Sequence, residues 1–139
     1  MASKLNPYLN FRGEAQAALD FYHAVFGGEL AVDTFSGFGM PTENPAEAKW
    51  VMHGQLDTPA GFTLMASDVP TSMPFTPGSN GAISLSGDND AELSGYWTKL
   101  SDGAKGMTMP LGVAPWGDKF GMLTDRFGVN WMVNIALPK

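Results

Sequence analysis

Two stretches of the chain place apolar residues every three or four positions, a spacing that predicts amphipathic helices. The first stretch runs from Gly13 to Phe26, and the second runs from Asp90 to about Leu100. Each contains a pair of adjacent aromatic residues, Phe21-Tyr22 in the first and Tyr96-Trp97 in the second, and these pairs are 75 residues apart. The two predicted helices therefore look like copies of one unit.

Short apolar or alternating runs, typical of β-strands, surround both predicted helices. One run precedes each helix, at Tyr8 to Phe11 and at Ala82 to Ser86. Three further runs follow each helix: Glu29 to Phe35, Lys49 to Asp57 and Phe62 to Ser67 in the first half, and Lys105 to Leu111, Phe120 to Thr124 and Val129 to Leu137 in the second. The repeated order predicts an α+β fold built from two βαβββ modules.

The composition of the connecting segments divides the chain. We expect one domain over residues 1–139, with module 1 at about 1–70, a linker at about 69–81 and module 2 at about 82–139. The linker is rich in proline and glycine, which disfavour helices and strands. The stretch from Ser36 to Ala46 has the same character, and it is equally consistent with a plain loop and with a mobile flap over a site.

Charge and composition exclude several classes of function. The net charge of −6 and the pI near 4.6 disfavour nucleic acid and anionic membranes as partners. The chain has no cysteine, which excludes disulfides, thiolate nucleophiles and cysteine-ligated metals. No apolar run is long enough for a membrane helix, and residues 1–7 lack the apolar segment of a signal peptide. We therefore predict a cytoplasmic protein.

The two histidines differ in position. His53 and Gln55 lie on one face of a predicted strand, opposite Met52, Gly54 and Leu56. Two interpretations of His53 stay open: a half-buried residue satisfied by a neighbour, or a ligand-binding residue that also serves as a general base, since imidazole titrates near pH 6.5. His23 lies off the apolar stripe of its helix and is interpreted as a surface residue.

One further acidic residue has a local explanation. Asp125 stands directly before Arg126-Phe127-Gly128, between two predicted strands. Aspartate in this setting is typical of a turn, because its carboxylate accepts hydrogen bonds from backbone amides a few residues on. We interpret Asp125 as a turn residue.

Seven segments of the chain resemble the PhnB-like branch of the vicinal-oxygen-chelate superfamily, also called the glyoxalase/bleomycin-resistance/dioxygenase superfamily. They are Pro7–Phe11, Ala18–Tyr22, Val25–Glu29, Val51–Leu56, Met107–Leu111, Trp116–Met122 and Thr124–Asn134. The resemblance covers nearly the whole chain. Sequences of this branch are often labelled demethylubiquinone methyltransferase-like, but we find no methyl-donor motif here.

The resemblance implies two modules whose curved mixed sheets surround a shared cavity. It also implies a divalent metal held by four His, Gln or Glu side chains. Those positions fall at Pro7 or Tyr8, at about Ala66, near Gly81 and at Met132, and none of these residues suits a divalent ion. We therefore predict no cofactor, and a metal only with ligands outside these positions; Asp68 can replace one of the four.

Strand alternation, applied to the cavity that the resemblance implies, selects candidate ligand-binding residues. On the first strand Leu9 and Phe11 pack under the helix, so their neighbours face inward; on the last strand the residues alternating with Trp131 do so. The predicted ligand-binding residues are Tyr8, Asn10, His53, Gln55, Trp116, Phe120, Met132 and Asn134.

Three functions fit these residues. The first is a binding module that holds a small aromatic or amphipathic molecule in a metal-free cavity. The second is a lyase, isomerase or dioxygenase-type enzyme that uses His53 as its acid–base group, or a non-standard metal site. The third is an interaction protein whose own side chains fill the cavity. A homodimer is expected in each case, because sheets of this kind leave exposed edges.

Overall fold

The computed structural model describes residues 5–76 and 80–138, and the chain divides into two compact units, Met1–Ser79 and Asn80–Lys139. Each unit contains one helix and one four-stranded mixed sheet in the order βαβββ, as predicted. The cavity shared by the two modules stays a prediction. Residues 1–4, residues 77–79 of the predicted linker and residue 139 lie outside the described residues.

The first unit has its elements close to the predicted bounds: β1 (Tyr8–Phe11), α1 (Ala15–Phe26), β2 (Glu29–Thr34), β3 (Val51–Asp57) and β4 (Thr63–Asp68). The strand order across the sheet is β1-β4-β3-β2. β1 runs parallel to β4, and the other neighbours are antiparallel. A short 3₁₀ helix, Pro45–Glu47, lies within the Gly/Pro-rich stretch that precedes β3.

Helix α1 packs on one face of the first sheet through the residues of its apolar stripe: Ala15, Ala18, Leu19, Tyr22, Val25 and Phe26, all buried. A Cβ atom at Gly54 of β3 would lie only 2.3 Å from Leu19 Cδ1. Glycine at this position therefore lets the helix approach the sheet closely. The opposite face of the sheet has no helix from this unit and is called the open face of the first sheet.

Two details of the first unit differ from the predictions. A register shift between Asp33 and Thr34 interrupts the alternation of β3, so that Val51, rather than Met52, is fully buried with Gly54 and Leu56. A bulge of this kind places an extra residue on one strand. His23, predicted to be a surface residue, is half-buried, and its Nε2 lies 2.9 Å from the carbonyl oxygen of Gly28.

The second unit repeats the arrangement with β5 (Ala82–Gly87), α2 (Asp90–Leu100), β6 (Gly106–Val113), β7 (Lys119–Thr124) and β8 (Asn130–Ile135). The strand order is β5-β8-β7-β6, again with one parallel pair, β5 and β8. β6 is an edge strand that contains Pro110, a residue that sheets tolerate at their edges because it donates no ladder hydrogen bond.

Helix α2 begins at a side-chain cap, since Asn89 Oδ1 accepts a hydrogen bond from Glu92 N–H at 3.1 Å. Leu93, Trp97 and Leu100 form its buried face. A Cβ atom at Gly121 of β7 would lie 2.6 Å from the Trp97 ring. The second unit thus uses a strand glycine for close helix packing, as the first unit does, and its other sheet face is called the open face of the second sheet.

Buried carboxylates fix turns in both units. Asp68, at the end of β4, accepts hydrogen bonds from the backbone amides of Gly13 (2.7 Å), Ala15 (3.0 Å) and Val51 (3.1 Å). Asp125 accepts from the backbone amides of Phe127 (2.8 Å) and Val129 (3.1 Å), which confirms its predicted role in a turn. Without Asp68 and Asp125 these backbone amides would lack a hydrogen-bond partner inside the protein. Both carboxylates therefore stabilise the fold, and we assign them no role in catalysis.

Neither helix in the described part of the chain is long and apolar enough to cross a membrane.

Candidate functional site

The open face of the first sheet carries the four site residues predicted for module 1. Register places Tyr8 of β1 beside Met65 of β4, and Met65 beside Gln55 of β3, so these three form one row across the sheet. Asn10 lies two residues after Tyr8, and His53 two residues before Gln55, so both share this face. Strand alternation therefore brings Tyr8, Asn10, His53 and Gln55 to one surface, as predicted.

Tyr8 and His53 are in direct contact on this face. The Tyr8 hydroxyl lies 3.2 Å from His53 Nδ1, and the two ring centroids are 5.8 Å apart. Tyr8 is 45% exposed and His53 is half-buried. A phenol that donates to Nδ1 leaves Nε2 protonated, whereas the other tautomer makes the phenol oxygen an acceptor. The pair can therefore either donate or accept a hydrogen bond toward a ligand.

Gln55 has its amide direction fixed by a neighbouring carboxylate. Its Nε2 donates to Asp57 Oδ1 at 3.2 Å and to Oδ2 at 3.1 Å, and Thr63 Oγ1 also donates to Asp57 at 3.0 Å. Because an ionised carboxylate only accepts hydrogen bonds, the NH₂ group must face Asp57. The Oε1 atom has no partner among the described residues and remains an acceptor.

The open face of the second sheet carries three of the four site residues predicted for module 2. Phe120 of β7 pairs with Asn134 of β8, and Met122 of β7 pairs with Met132 of β8. Met109 of β6 continues the second of these rows. The result is an aromatic and thioether surface bordered by polar side chains, namely the amides of Asn130 and Asn134 and the hydroxyls of Ser84, Ser86 and Thr124. Apolar and polar groups of this kind are combined in small-molecule sites.

Trp116, the remaining predicted residue, lies in the hairpin between β6 and β7. The hairpin closes where Ala114 N–H donates to the carbonyl of Asp118 at 2.7 Å. The Trp116 ring then packs edge-on against Phe120, with centroids 5.3 Å apart, and its Nε1–H donates to Asn134 Oδ1 at 3.3 Å. Although it makes both contacts, Trp116 is 56% exposed.

Asp118 completes this group and was not predicted. Asn134 Nδ2 donates to Asp118 Oδ2 at 3.2 Å, while Asp118 Oδ1 accepts from Leu137 N–H at 3.4 Å. The hairpin residue thus connects to β8, and through Asn134 to Trp116. The sequence signal for Asp118 is weak, because it consists only of an acidic residue two positions after Trp116 in a short turn.

The residues at the four family metal positions do not form a metal site. At the first position Pro7 has no ligating side-chain atom and Tyr8 is exposed on the open face. Ala66 is fully buried beneath α1, Gly81 has no side chain, and Met132 offers only a thioether. Asp68, expected as one substitute, has both oxygens bonded to backbone amides. Within residues 5–76 and 80–138, no three acidic or histidine side chains are grouped to hold a metal ion. The side chains present do not fit the divalent metal that the superfamily implies.

Shifted pKa values occur on α2. A hydrogen bond from Lys119, supported by one from Ser94, lowers the pKa of the Asp90 carboxyl below its ordinary value. Burial, with the charge and hydrogen bond of Glu92, raises the pKa of the Tyr96 phenol. Asp90 and Tyr96 both belong to α2, so neither shift concerns a residue of the open faces.

Two βαβββ modules, each with one sheet face covered by its own helix and one face open, define a paired-module α+β protein of the vicinal-oxygen-chelate type. Residues 4–133 match the family model described as the Glyoxalase/Bleomycin resistance protein/Dioxygenase superfamily. The chain belongs to this superfamily and, within it, to the PhnB-like branch.

Individual relatives agree with this assignment. The chain is similar to Protein YjdN of Escherichia coli K12, with 30% identity over 95% of each chain. It is also similar to the crystal structure of protein PA1353 from Pseudomonas aeruginosa, with 37% identity, a TM-score of 0.83, and coverage of 99% of this chain and 100% of that one. The PhnB protein from Bacillus cereus is 25% identical, with a TM-score of 0.71, and the match covers 96% of this chain and 100% of that one.

Proposed function

We propose that this protein binds a small aromatic or amphipathic molecule on the open faces of its sheets, without a bound metal. The observation that carries the proposal is the state of Trp116. Its ring is held by Phe120 and Asn134, yet more than half of its surface is exposed. A large apolar side chain that is exposed to water lacks the favourable free energy of burial. A ligand that covers the ring would supply that burial.

The surroundings of Trp116 support an aromatic ligand. Met109, Met122 and Met132 lie beside one another through strand register, and unbranched thioether side chains adapt their shape to an aromatic ring. The polar side chains of this face are the amides of Asn130 and Asn134 and the hydroxyls of Ser84, Ser86 and Thr124. An apolar surface with oriented polar atoms around it gives affinity through burial and specificity through hydrogen bonds.

The experiment that tests the proposal is a thermal-shift screen of small aromatic compounds, followed by measurement of Kd for any compound that raises Tm. Trp116→Leu should weaken binding about tenfold, since it removes the ring contact. Phe38→Leu is the matched control, because Phe38 is equally exposed but lies in the first unit, in the loop between β2 and β3. A screen with no Tm increase, or equal binding by the Trp116 variant, would contradict the proposal.

An enzyme is the second candidate function, because the Tyr8 hydroxyl lies 3.2 Å from His53 Nδ1. A phenol that orients an imidazole is an arrangement suited to acid–base chemistry of the lyase or isomerase kind, with dioxygenase chemistry requiring a non-standard metal site. If a screened compound is turned over, His53→Gln should abolish turnover and keep binding. Retained turnover would eliminate His53 as the acid–base group.

The proposal includes a homodimer and a cytoplasmic location. Native mass spectrometry tests the assembly and the metal together. A mass near twice 14.8 kDa supports the dimer, and additional mass equal to a divalent ion contradicts the metal-free part of the proposal.

A further inference from the structure

The amide of Asn134 has a fixed direction. Its Nδ2 donates to Asp118 Oδ2 at 3.2 Å, and its Oδ1 accepts from Trp116 Nε1–H at 3.3 Å. A carboxylate can only accept and an indole N–H can only donate, so reversing the amide would break both hydrogen bonds. Asn134 therefore presents an oxygen, never an NH₂ group, on the side of the aromatic residues.

That oxygen can take a second donor. An amide carbonyl oxygen has two lone pairs, and Trp116 occupies one of them. Asn134 contacts the Trp116 indole and is the cross-strand partner of Phe120, and the centroids of these two rings are 5.3 Å apart. A ligand that stacks on these rings is thus offered the Asn134 oxygen as an acceptor, whereas the NH₂ group of Asn134 is directed toward Asp118.

The first sheet shows the same selection independently. Asp57 holds the Gln55 NH₂ group through two hydrogen bonds, which leaves Gln55 Oε1 as an acceptor on its open face. In both units a carboxylate fixes an amide so that its oxygen is the available atom. Gln55 and Asn134 lie on separate sheets, and each leaves its amide oxygen as the available atom. Both open faces therefore favour a ligand that donates a hydrogen bond.

Charge agrees with this preference. No lysine or arginine occurs in strands β1 to β4, and Lys119 is the single cationic residue in strands β5 to β8. Lys119 pairs in register with Ile135, on the helix-covered face, and its Nζ bonds Asp90 of α2 at 2.7 Å. No lysine or arginine of a strand therefore offers its charge to an anion on either open face, and the chain as a whole carries a charge of −6.

From these observations we infer that the ligand is an aromatic molecule bearing a protonated amine, whose N–H is accepted by Asn134 Oδ1 while its ring stacks on Trp116. This rests on the proposed function and adds the ligand's charge. Asp118 is a positioning residue: it fixes Asn134, and through it the site discriminates against carboxylate-bearing aromatics. Indole rings also attract cations through their π-electrons.

Two probes with the same ring test the inference: 2-phenylethylamine, protonated at neutral pH, and 3-phenylpropanoate, an anion. Binding is followed by the NMR shift of the Trp116 indole N–H, assigned with Trp116→Phe. We expect the amine to bind about tenfold more tightly than the carboxylate, the value of one charge-assisted hydrogen bond. Equal or tighter binding of the carboxylate would overturn the inference and leave the proposed function intact, whereas no shift with either probe would overturn both.

A matched pair of variants separates local positioning from total charge. Asp118→Asn releases the Asn134 amide and should reduce the amine-to-carboxylate preference to about threefold or less. Asp88→Asn removes the same charge at an exposed position before α2 and should keep the full preference. If both variants reduce the preference equally, net charge alone is responsible and Asp118 is not a positioning residue.

Discussion

Asp125 accepts a hydrogen bond from the Trp131 indole N–H at 2.9 Å, and both side chains are almost completely buried. The other carboxylate oxygen accepts the backbone amides of Phe127 and Val129. One side chain therefore fixes the β7–β8 turn and satisfies the indole N–H of Trp131, the largest fully buried side chain of the second unit. The polar Asp125 side chain is accommodated in the core because three donors bond its two oxygens.

Asp125→Asn should lower the free energy of unfolding by about 2 to 4 kcal/mol. The amide keeps one oxygen for the backbone but places an NH₂ group against the Trp131 N–H, so that two donors oppose each other. Urea denaturation followed by circular dichroism measures the loss. Asp88→Asn, at an exposed position, serves as the control and should change stability by less than about 0.5 kcal/mol. A loss below about 1 kcal/mol for Asp125→Asn would show that the turn tolerates the amide.

Gly28, directly before β2, should be intolerant of any side chain. It has a φ of +101°, and a Cβ atom there would lie 2.0 Å from the carbonyl oxygen of Asp57. Gly61 has a similar φ of +92° but open space around it. Gly61→Ala should therefore cost about 1 kcal/mol from backbone strain alone, and Gly28→Ala at least about 2 kcal/mol more, because backbone must also move. Thermal unfolding of both variants checks this, and equal costs would refute the steric part.

The ion pair between Asp90 and Lys119 should make the free energy of unfolding depend on pH in the acidic range. The folded-state pKa of Asp90 is lowered, so its contribution is present above the ordinary aspartate pKa of about 3.9 and is lost as the pH falls through the lower folded value. Lys119→Met removes the largest cause of the shift. The pKa of Asp90, measured by carboxyl NMR titration, should then rise.

Lys49→Met is the matched control for this titration. Lys49 is exposed in the first unit, and its replacement changes the net charge equally without touching Asp90. It should leave the Asp90 titration in place. If both variants raise the pKa of Asp90 equally, then the low pKa in the unmodified protein is caused by long-range charge and not by the 2.7 Å hydrogen bond from Lys119.

The fold could be predicted from the sequence because the same signals occur twice. Periodicity located α1 and α2 within two residues of their observed ends, and the repeated order of runs gave the βαβββ modules. The bulge at Met52 could not be predicted, since it depends on how β2 pairs with β3 rather than on the residues of β3 themselves. The burial of Asp125 could not be predicted either, because it depends on which residues pack around the turn.

The sheet faces of the candidate site's strand residues could be predicted from the sequence, the contacts within its hairpin only incompletely, and the ligand-binding role of these residues stays a prediction. Alternation suffices to place Tyr8 and His53, or Phe120 and Asn134, on one face of a sheet. Asp118 was missed because its hydrogen bond to Asn134 depends on the return path of the β6–β7 hairpin. Such contacts join residues distant in sequence, and no local pattern encodes them.

Arg12 attaches the start of the predicted linker to the first unit. Its Nε donates to the carbonyl of Val69 at 3.2 Å, and its Nη2 donates to the carbonyls of Pro70, at 3.2 Å, and Met73. The Phe75 ring lies over the guanidinium, 5.1 Å from centroid to Cζ. One planar, multiply donating side chain therefore fixes four residues of the segment, a role that an ammonium group cannot reproduce.

Arg12→Lys should release this segment while the sheet stays folded. We expect amide hydrogen exchange at Thr71, Ser72, Met73 and Phe75 to accelerate about tenfold, which corresponds to the loss of about 1.4 kcal/mol of local stability, with little change in β3. Arg126→Lys is the matched control, since Arg126 bonds Asp102 in the second unit. Because Glu47 also holds Thr71 through its N–H and hydroxyl, unchanged exchange in Arg12→Lys would assign the attachment to Glu47 instead.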